Sequence, residues 1–411
     1  MRLQLTSLAA AAFAFLVPPP SGGAPASQGC APGNAGLTLP AGFCATLFAE
    51  GVGSVRHLTV APNGDVFVAV EGRSGGVLAL RDTNGDGRAD ITRRFGPGGG
   101  SGIALDGTHL YFATASEVVR WPWTPSRLEP DGPPETIVTG LPTGEHSAKT
   151  ILLAGPNRLY VNLGSGSNSC QQRNRSRRSP GKDPCPELAE RAGIWEFAAD
   201  RAGQHESDGV RIATGLRNAM ALALQPGTGR LFAATHGRDQ LGDNWGYSDR
   251  LNAELPAEEL VQVERGDDFG WPYCYFDQLQ GRKVLAPEYG GDGKTVGRCA
   301  AAKQPLIGFP GHWAPMALAF YPGSRFPAAY RGGLFIAFHG SWNRAPLPQE
   351  GYRVVFVPFA GNRPAGGYST FAAEAGNPGG LRASGIAVGP DGSLYISADG
   401  NGRIWKVTAG G

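Results

Sequence analysis

One phrase of apolar and polar positions recurs along the chain. A short apolar strand runs into a turn built from Gly, Pro, Asn or Asp, and a second strand rich in β-branched and aromatic residues follows. It reads LTVAPNGDVFVAV at 58–70, IALDGTHLYFAT at 103–114, ILLAGPNRLYVN at 151–162 and ALALQPGTGRLFAA at 221–234. It returns as ALAFYPG at 317–323, resuming with GLFIAF at 333–338, and as IAVGPDGSLYIS at 386–397. Third strands follow at VLAL 77–80, VVRW 118–121, IWEF 194–197, LVQV 260–263, YRVVFV 352–357 and IWKV 404–407. Six copies of a short-stranded meander predict an all-β fold, a six-bladed β-propeller of four-stranded antiparallel blades. The last copy ends near the C-terminus, so an N-terminal strand such as FCATLF at 43–48 is expected to complete that blade.

The repeat also places side chains. In such a blade the first strand leaves one face of the ring and the second returns to it. Residues just before strand one and just after strand two therefore meet at one mouth of the channel. Arg56, Ser101, His146 with Lys149, Arg217 with Asn218, His312 with Trp313, and Arg382 precede first strands. Arg73, residues 164–168, His236-Gly-Arg-Asp239 and His339-Gly-Ser-Trp-Asn-Arg344 follow second strands. The gathering is cationic, with Arg56, Lys149, Arg217, Arg238, Arg344 and Arg382, and like charges held together raise the energy unless an anion joins them. Guanidinium forks match carboxylates, and Trp313 and Trp342 offer flat faces. The mouth is thus expected to take a small polyanion with a planar ring. His146 is the candidate proton-transfer group, with Glu145 to orient it; the alternative is a histidine tying two blades together.

Composition narrows the class of function. Glycine (63) and proline (33) are spread through all 411 residues, as many short strands and turns require. A net charge of +2 offers no global field for nucleic acid or an anionic membrane. Residues 1–26, with Arg2, an apolar stretch at 8–17 and Ala24-Pro25-Ala26, read as a signal peptide preceding a propeller domain at 27–411. A periplasmic or secreted protein without membrane insertion follows. In an oxidising compartment the simplest pairing of the six cysteines is by near neighbours, Cys30 with Cys44, Cys170 with Cys185 and Cys274 with Cys299, among many possible connectivities. The arginine-rich stretch 173–178 lies between the second of these pairs and reads as a solvated loop, with acceptor docking as its alternative. Asp82-x-Asn84-x-Asp86-Gly87 begins like a calcium loop, yet its twelfth position is Arg93, so a polar hairpin is expected, with a second, structural Ca²⁺ as the alternative.

Several motifs together resemble soluble quinoprotein sugar dehydrogenases, the glucose, aldose, sorbosone and pyranose enzymes that use pyrroloquinoline quinone (PQQ). They are GEHSAK at 144–149, GLRN at 215–218, HGRD at 236–239, GDDFGWPY at 266–273, PGHWAP at 310–315 and FHGSWNR at 338–344. The resemblance runs from about residue 37 to the C-terminus. It implies a planar tricarboxylate cofactor, PQQ, and a sugar or related aldehyde as substrate. It implies His146 as general base and Arg217 on the quinone oxygen, with Arg56, Lys149, Asn218, Arg238, His339, Trp342, Asn343 and Arg382 also holding cofactor. It further implies Ca²⁺ on the backbone carbonyls of Gly237 and Arg238. The chain departs from the glucose enzymes where it carries HGSWNR in place of a lysine. It carries no C-x-x-C-H haem motif, so electrons are expected to leave to an external acceptor such as a cytochrome or quinone. A calcium-dependent propeller lactonase or esterase, and a non-catalytic carbohydrate-binding propeller, are the competing functions.

Overall fold

The computed structural model describes residues 30–410. Six small sheets surround a channel into which Leu58, Ile103, Ile151, Leu222, Leu318 and Ile386 project, one from the first strand of each. Blade 1 is Val55–Val60, Val66–Val70, Gly76–Arg81 and Ile91–Phe95; blade 2 is Gly102–Leu105, His109–Ala113, Val118–Pro122 and Glu135–Thr139. Blade 3 is Ile151–Leu153, Arg158–Leu163, Gly193–Ala198 and Val210–Thr214; blade 4 is Ala221–Leu224, Leu231–Thr235, Glu258–Val263 and Ile307–Phe309. Blade 5 is Pro315–Phe320, Leu334–Phe338, Arg353–Val357 and Ser369–Glu374. In blade 6, Ala383–Val388, Leu394–Ala398 and Arg403–Ala409 are joined by Phe43–Ala49, which pairs antiparallel with Arg403–Ala409 and closes the ring as expected.

Burial explains the pattern of the phrase. Second strands lie between neighbouring blades and have no wet face, so Val66–Val70 and Leu334–Phe338 are apolar and buried throughout. The outermost strand of blade 1 meets water on both faces, and in Ile91–Phe95 the side chains of Thr92, Arg93 and Arg94 are exposed. The seam between blades 5 and 6 is aromatic: Phe43 meets Phe326 and Phe371 edge-on.

Three blades differ from four simple antiparallel strands. Gln204–His205 adds in parallel to blade 2, Asp267–Asp268 in parallel to blade 3, and Leu37–Thr38 antiparallel to blade 5. Two-residue strands carry no periodicity to read, and each covers backbone groups at an outer edge. The cysteines pair as near neighbours, Cys30–Cys44, Cys170–Cys185 and Cys274–Cys299. Residues 82–90 form the polar hairpin between the last two strands of blade 1. Asp82 accepts from the amides of Gly85 and Gly87, and Asp90 from the amide and hydroxyl of Thr83. The signal peptide expected at 1–26 lies outside the described residues. Among the described residues no helix is long and apolar enough to cross a membrane.

Candidate active site

One mouth of the channel opens into a cavity of about 760 Å³. Blade 1 supplies Arg56, Glu71 and Arg73, blade 3 His146, and blade 4 Arg217, Asn218, His236, Asp239 and Glu258. Blade 5 supplies His312, His339 and Trp342. Met220 lines both the cavity and the channel beneath it. The strand-one and strand-two rule therefore gathers the histidines at one face.

His146 is fixed in one tautomer. Its Nδ1 lies 3.0 Å from the carbonyl oxygen of Ser165 and 2.9 Å from its Oγ. Ser165 Oγ already donates to the carbonyl of Ser167 at 2.7 Å, so both oxygens accept and Nδ1 carries the proton. The other nitrogen, Nε2, keeps its lone pair and has no partner among the described residues. Burial, reinforced by Arg217, pushes the His146 pKa down to about 2, so the ring is neutral across the physiological range. The segment under it must come very close: a Cβ on Gly164 would lie 2.6 Å from His146 Cβ and 2.7 Å from Asn218 Oδ1. Only glycine fits there. Behind Ser165, Ser167 Oγ donates to Glu187, which also accepts from the amide of Gly166 at 2.7 Å.

Arg217 is 4% exposed and held at four points. Nε donates to the Asn168 carbonyl at 3.0 Å and Nη1 to the Gly237 carbonyl at 2.9 Å. Nη2 donates to Asn168 Oδ1 at 3.0 Å and Asp239 Oδ2 at 3.1 Å. Asn168 also accepts from the Asp239 amide at 2.8 Å, so it joins the loops of blades 3 and 4. Burial alone would raise the Asp239 carboxyl, but Arg217, His312 and Arg175 hold it well below the usual carboxylate range. Among the described residues the Asn218 side-chain amide finds no acceptor, and its oxygen accepts from Asn162 at 3.2 Å. His236 Nε2 is bonded to the Pro315 carbonyl at 2.9 Å, and burial holds its pKa at about 4.

The expected uncompensated cationic cluster is corrected by these pairings. Arg56 pairs with Glu71 and Asp399, Arg217 with Asp239, and Arg238 with Glu288. Arg344 pairs with Glu254 and Arg382 with Asp399. A buried guanidinium without a counterion is strongly disfavoured, so the fold supplies one to each. Among the described residues, Arg73 alone of these mouth arginines has no acid partner.

Several side chains point elsewhere. Lys149 is fully buried, and its ammonium donates to the carbonyls of Pro142 and Ser147; burial and Arg191 push its pKa down to about 7. It braces the loop carrying His146 and does not face the cavity. Arg238 turns away to buried Glu288. Arg382 lies 46% exposed on the far side of Asp399. Asn343 is buried away from the cavity, its carbonyl accepting from Asn252 at 3.0 Å. Trp313 packs under Arg353, leaving Trp342, 63% exposed, as the aromatic face of the cavity. His339 does line the cavity, with Nε2 on Asp399 at 2.8 Å. Glu145, expected to orient His146, bonds Arg175 and Asn174 instead. Arg175 went unread: the loop between Cys170 and Cys185 folds it back over the mouth, where it also meets Asp239 and the Trp342 ring.

Of the two carbonyls assigned to calcium, one has a partner within the protein. Gly237 already accepts from Arg217. A Ca²⁺ at that oxygen's second lone pair would stand close to the guanidinium, so it would need anionic ligands besides the two carbonyls. Asp239, the nearest counterweight, is shared by Arg217 and Arg175. Among the described residues no group of three or more His, Cys, Asp or Glu side chains is arranged to hold a metal.

Comparison with known proteins agrees with the fold. The sequence profile of a family described as TrAA12-like matches residues 37–410. A pyrroloquinoline quinone-dependent pyranose dehydrogenase of Coprinopsis cinerea is 25% identical over 320 residues, covering 66% of this chain and 41% of that protein. An uncharacterized protein of Borreliella burgdorferi is 28% identical over 206 residues, 48% of each. The chain thus spans less than half the length of these curated relatives. Among solved structures, the holo PQQ domain of C. cinerea pyranose dehydrogenase superposes with a TM-score of 0.75 at 22% identity, covering 90% of this chain and 97% of that one. A calcium structure of a Trichoderma reesei family AA12 carbohydrate-active enzyme gives 0.75 at 20%, covering 91% and 97%. The apo soluble aldose sugar dehydrogenase of Escherichia coli gives 0.60 at 16%, covering 89% and 99%.

Proposed function

The chain belongs to the TrAA12-like family, and from that premise and the geometry of the mouth we propose that it is a quinoprotein oxidoreductase. It oxidises a pyranose or aldose sugar, or a related aldehyde, with PQQ in the cavity and His146 as general base, and it works in the periplasm or outside the cell. The observation that carries this is the neutral His146, its Nδ1 proton fixed on Ser165 and its free Nε2 opening on the cavity beside Arg217.

The donors suit a planar polyanion. Among the described residues Arg73 has no acid partner and Asn218 has a free amide donor, while Arg56 Nε meets only Glu71, at 3.2 Å and without a hydrogen bond. Trp342 supplies an aromatic wall. These residues, with Arg217, would hold PQQ, whose quinone supplies the hydride acceptor. His146 Nε2 takes the proton of the substrate hydroxyl, while the hydrogen on the same carbon leaves with its electron pair. Arg217 retains one unassigned N–H on Nη1, and its other bonds fix its charge in advance, so it meets developing negative charge without reorganising. Anionic groups near His146 oppose the influence of Arg217 and raise the ring's pKa towards a working range. The hydrolase alternative calls for a cation held by several acidic and amide side chains, whereas the carboxylates here serve arginines.

The test is to load the purified protein with PQQ and follow dye reduction across a panel of sugars and aldehydes. Sugar-dependent turnover falling about 10²–10⁴-fold in His146→Ala is expected. Failure to bind PQQ, or undiminished turnover in the variant, overturns the proposal.

A further inference from the structure

Residues 171–182 carry Arg173, Arg175, Arg177, Arg178 and Lys182 and no acid, in a protein whose net charge is only +2. The loop is rigidly held. Cys170–Cys185 closes it, Gln171 Nε2 donates to the carbonyls of Ser176 and Ser179, and Gln171 Oε1 accepts from the Arg175 amide. Arg178 donates its amide to the Asn244 carbonyl at 3.1 Å. Arg175 and Arg178 have φ of 53° and 54°, a left-handed backbone these bonds impose. Arg175 turns inward to Glu145 and Asp239 and pins the loop to the rim of the cavity. Arg173, Arg177, Arg178 and Lys182 stay exposed, and among the described residues none of them is ion-paired. The next acid along the chain, Asp183, is engaged by Arg298 at 3.1 Å, and Asp243 is the exposed acid on the adjoining helix Leu241–Trp245.

We propose that this disulfide-bounded loop is the docking surface for the electron acceptor, and that the acceptor is a one-electron carrier protein with an acidic face. The inference rests on the sugar-oxidoreductase reading. Arg178 lies over the Trp245 ring, and the other exposed charges have no ionic partner among the described residues. Like charges held on an ordered loop repel one another, whereas beside the mouth they steer an acidic partner to where electrons emerge. Oxidising one CH–OH group to C=O releases two electrons and two protons. Two carriers are therefore reduced in succession, and the protons pass to water.

Cytochrome b5, an acidic one-electron haem protein, serves as the probe. Its binding to the purified full chain is measured by surface plasmon resonance at about 20 and about 200 mM NaCl. Binding at low salt is expected to weaken about tenfold or more at high salt, and similarly in Arg173→Glu/Arg177→Glu, while Arg230→Glu on another loop leaves it unchanged. With PQQ loaded, the double variant should keep wild-type turnover with phenazine methosulfate, a cationic dye, and lose cytochrome reduction. Equal binding by wild type and double variant, an equal loss in Arg230→Glu, or tighter binding of duplex DNA or anionic vesicles overturns the docking proposal. Loop-dependent binding without dye turnover in the wild type would instead strike the oxidoreductase reading alone.

Discussion

Replacing Asp239 with asparagine separates two roles of one charge. Asp239 Oδ2 is 3.1 Å from both Arg217 and Arg175, and Oδ1 is 3.6 Å from His312 Nδ1. Removing the charge strands a guanidinium that is 4% exposed, and breaking a buried pair from one side costs about 3–5 kcal/mol. At about 2.1 cal/mol/K per residue, a domain of this size has an unfolding entropy near 0.8 kcal/mol/K, so Tm should fall by roughly 4–6 °C. The same change leaves Arg217 and Arg175 short of an anion, so the variant should gain more from PQQ than the wild type does. Thermal unfolding followed by circular dichroism at pH 7, with and without saturating PQQ, reads both effects. The expected result is a lower Tm for the unliganded variant and a larger PQQ-induced rise. A variant as stable as wild type, or one whose PQQ-induced rise is no larger, would refute the assignment of Asp239 as the resident counterion.

Two further outcomes follow from the same geometry. Ser165→Ala removes one of the two acceptors that hold the His146 Nδ1 proton and keeps the carbonyl; kcat should fall about 3–10-fold with KM for sugar little changed, since a hydrogen bond of this kind contributes about 1 kcal/mol. Steady-state kinetics on the loaded protein checks this, and an unaltered kcat would remove Ser165 from the orienting role. Glu258 lines the cavity, and burial raises its carboxyl to about 7. It is neutral below that pH and anionic above, so PQQ should bind more weakly as pH rises through about 7, by about 1–2 kcal/mol per guest carboxylate at roughly 10 Å. Titrations between pH 6 and 8 should show this slope in the wild type and a shallower one in Glu258→Gln, where Lys149, also titrating at about 7, remains.

Much of the ring was legible because its strands repeat a burial pattern. The closing strand Phe43–Ala49 was found by the arithmetic of an incomplete last blade, and the cysteine pairs by proximity in sequence. The positions of His146, Arg217 and Asn218 followed from their place before a first strand. Side-chain direction was not available from that rule: Arg238 and Lys149 occupy the expected loops yet point into the body of the protein. Counterions were hidden for a different reason. Arg56 meets Asp399 across 343 residues of chain, and no local spacing announces such a contact. Arg175 was invisible because a disulfide-closed loop returns it to the mouth, so the stretch looked merely solvated.

The pairing of the mouth arginines changes what guest binding means there. A bare cationic trap would be unstable while empty; this site instead carries its own anions, graded by exposure. Asp239 is deep, with 12% of its side chain exposed, and is shared by two arginines, whereas Glu71 and Glu145 are 40% and 23% exposed at the rim. Solvent screens the rim pairs, and holding them contributes little. On the proposed function, Glu71 is the resident acid that an entering polycarboxylate would displace first, while Glu145 and Asp239 keep Arg175 and Arg217 in register. Affinity would then reflect the difference between guest and resident carboxylates, and specificity the members of the set that stay fixed: Arg217, Asn218 and the lone pair of His146.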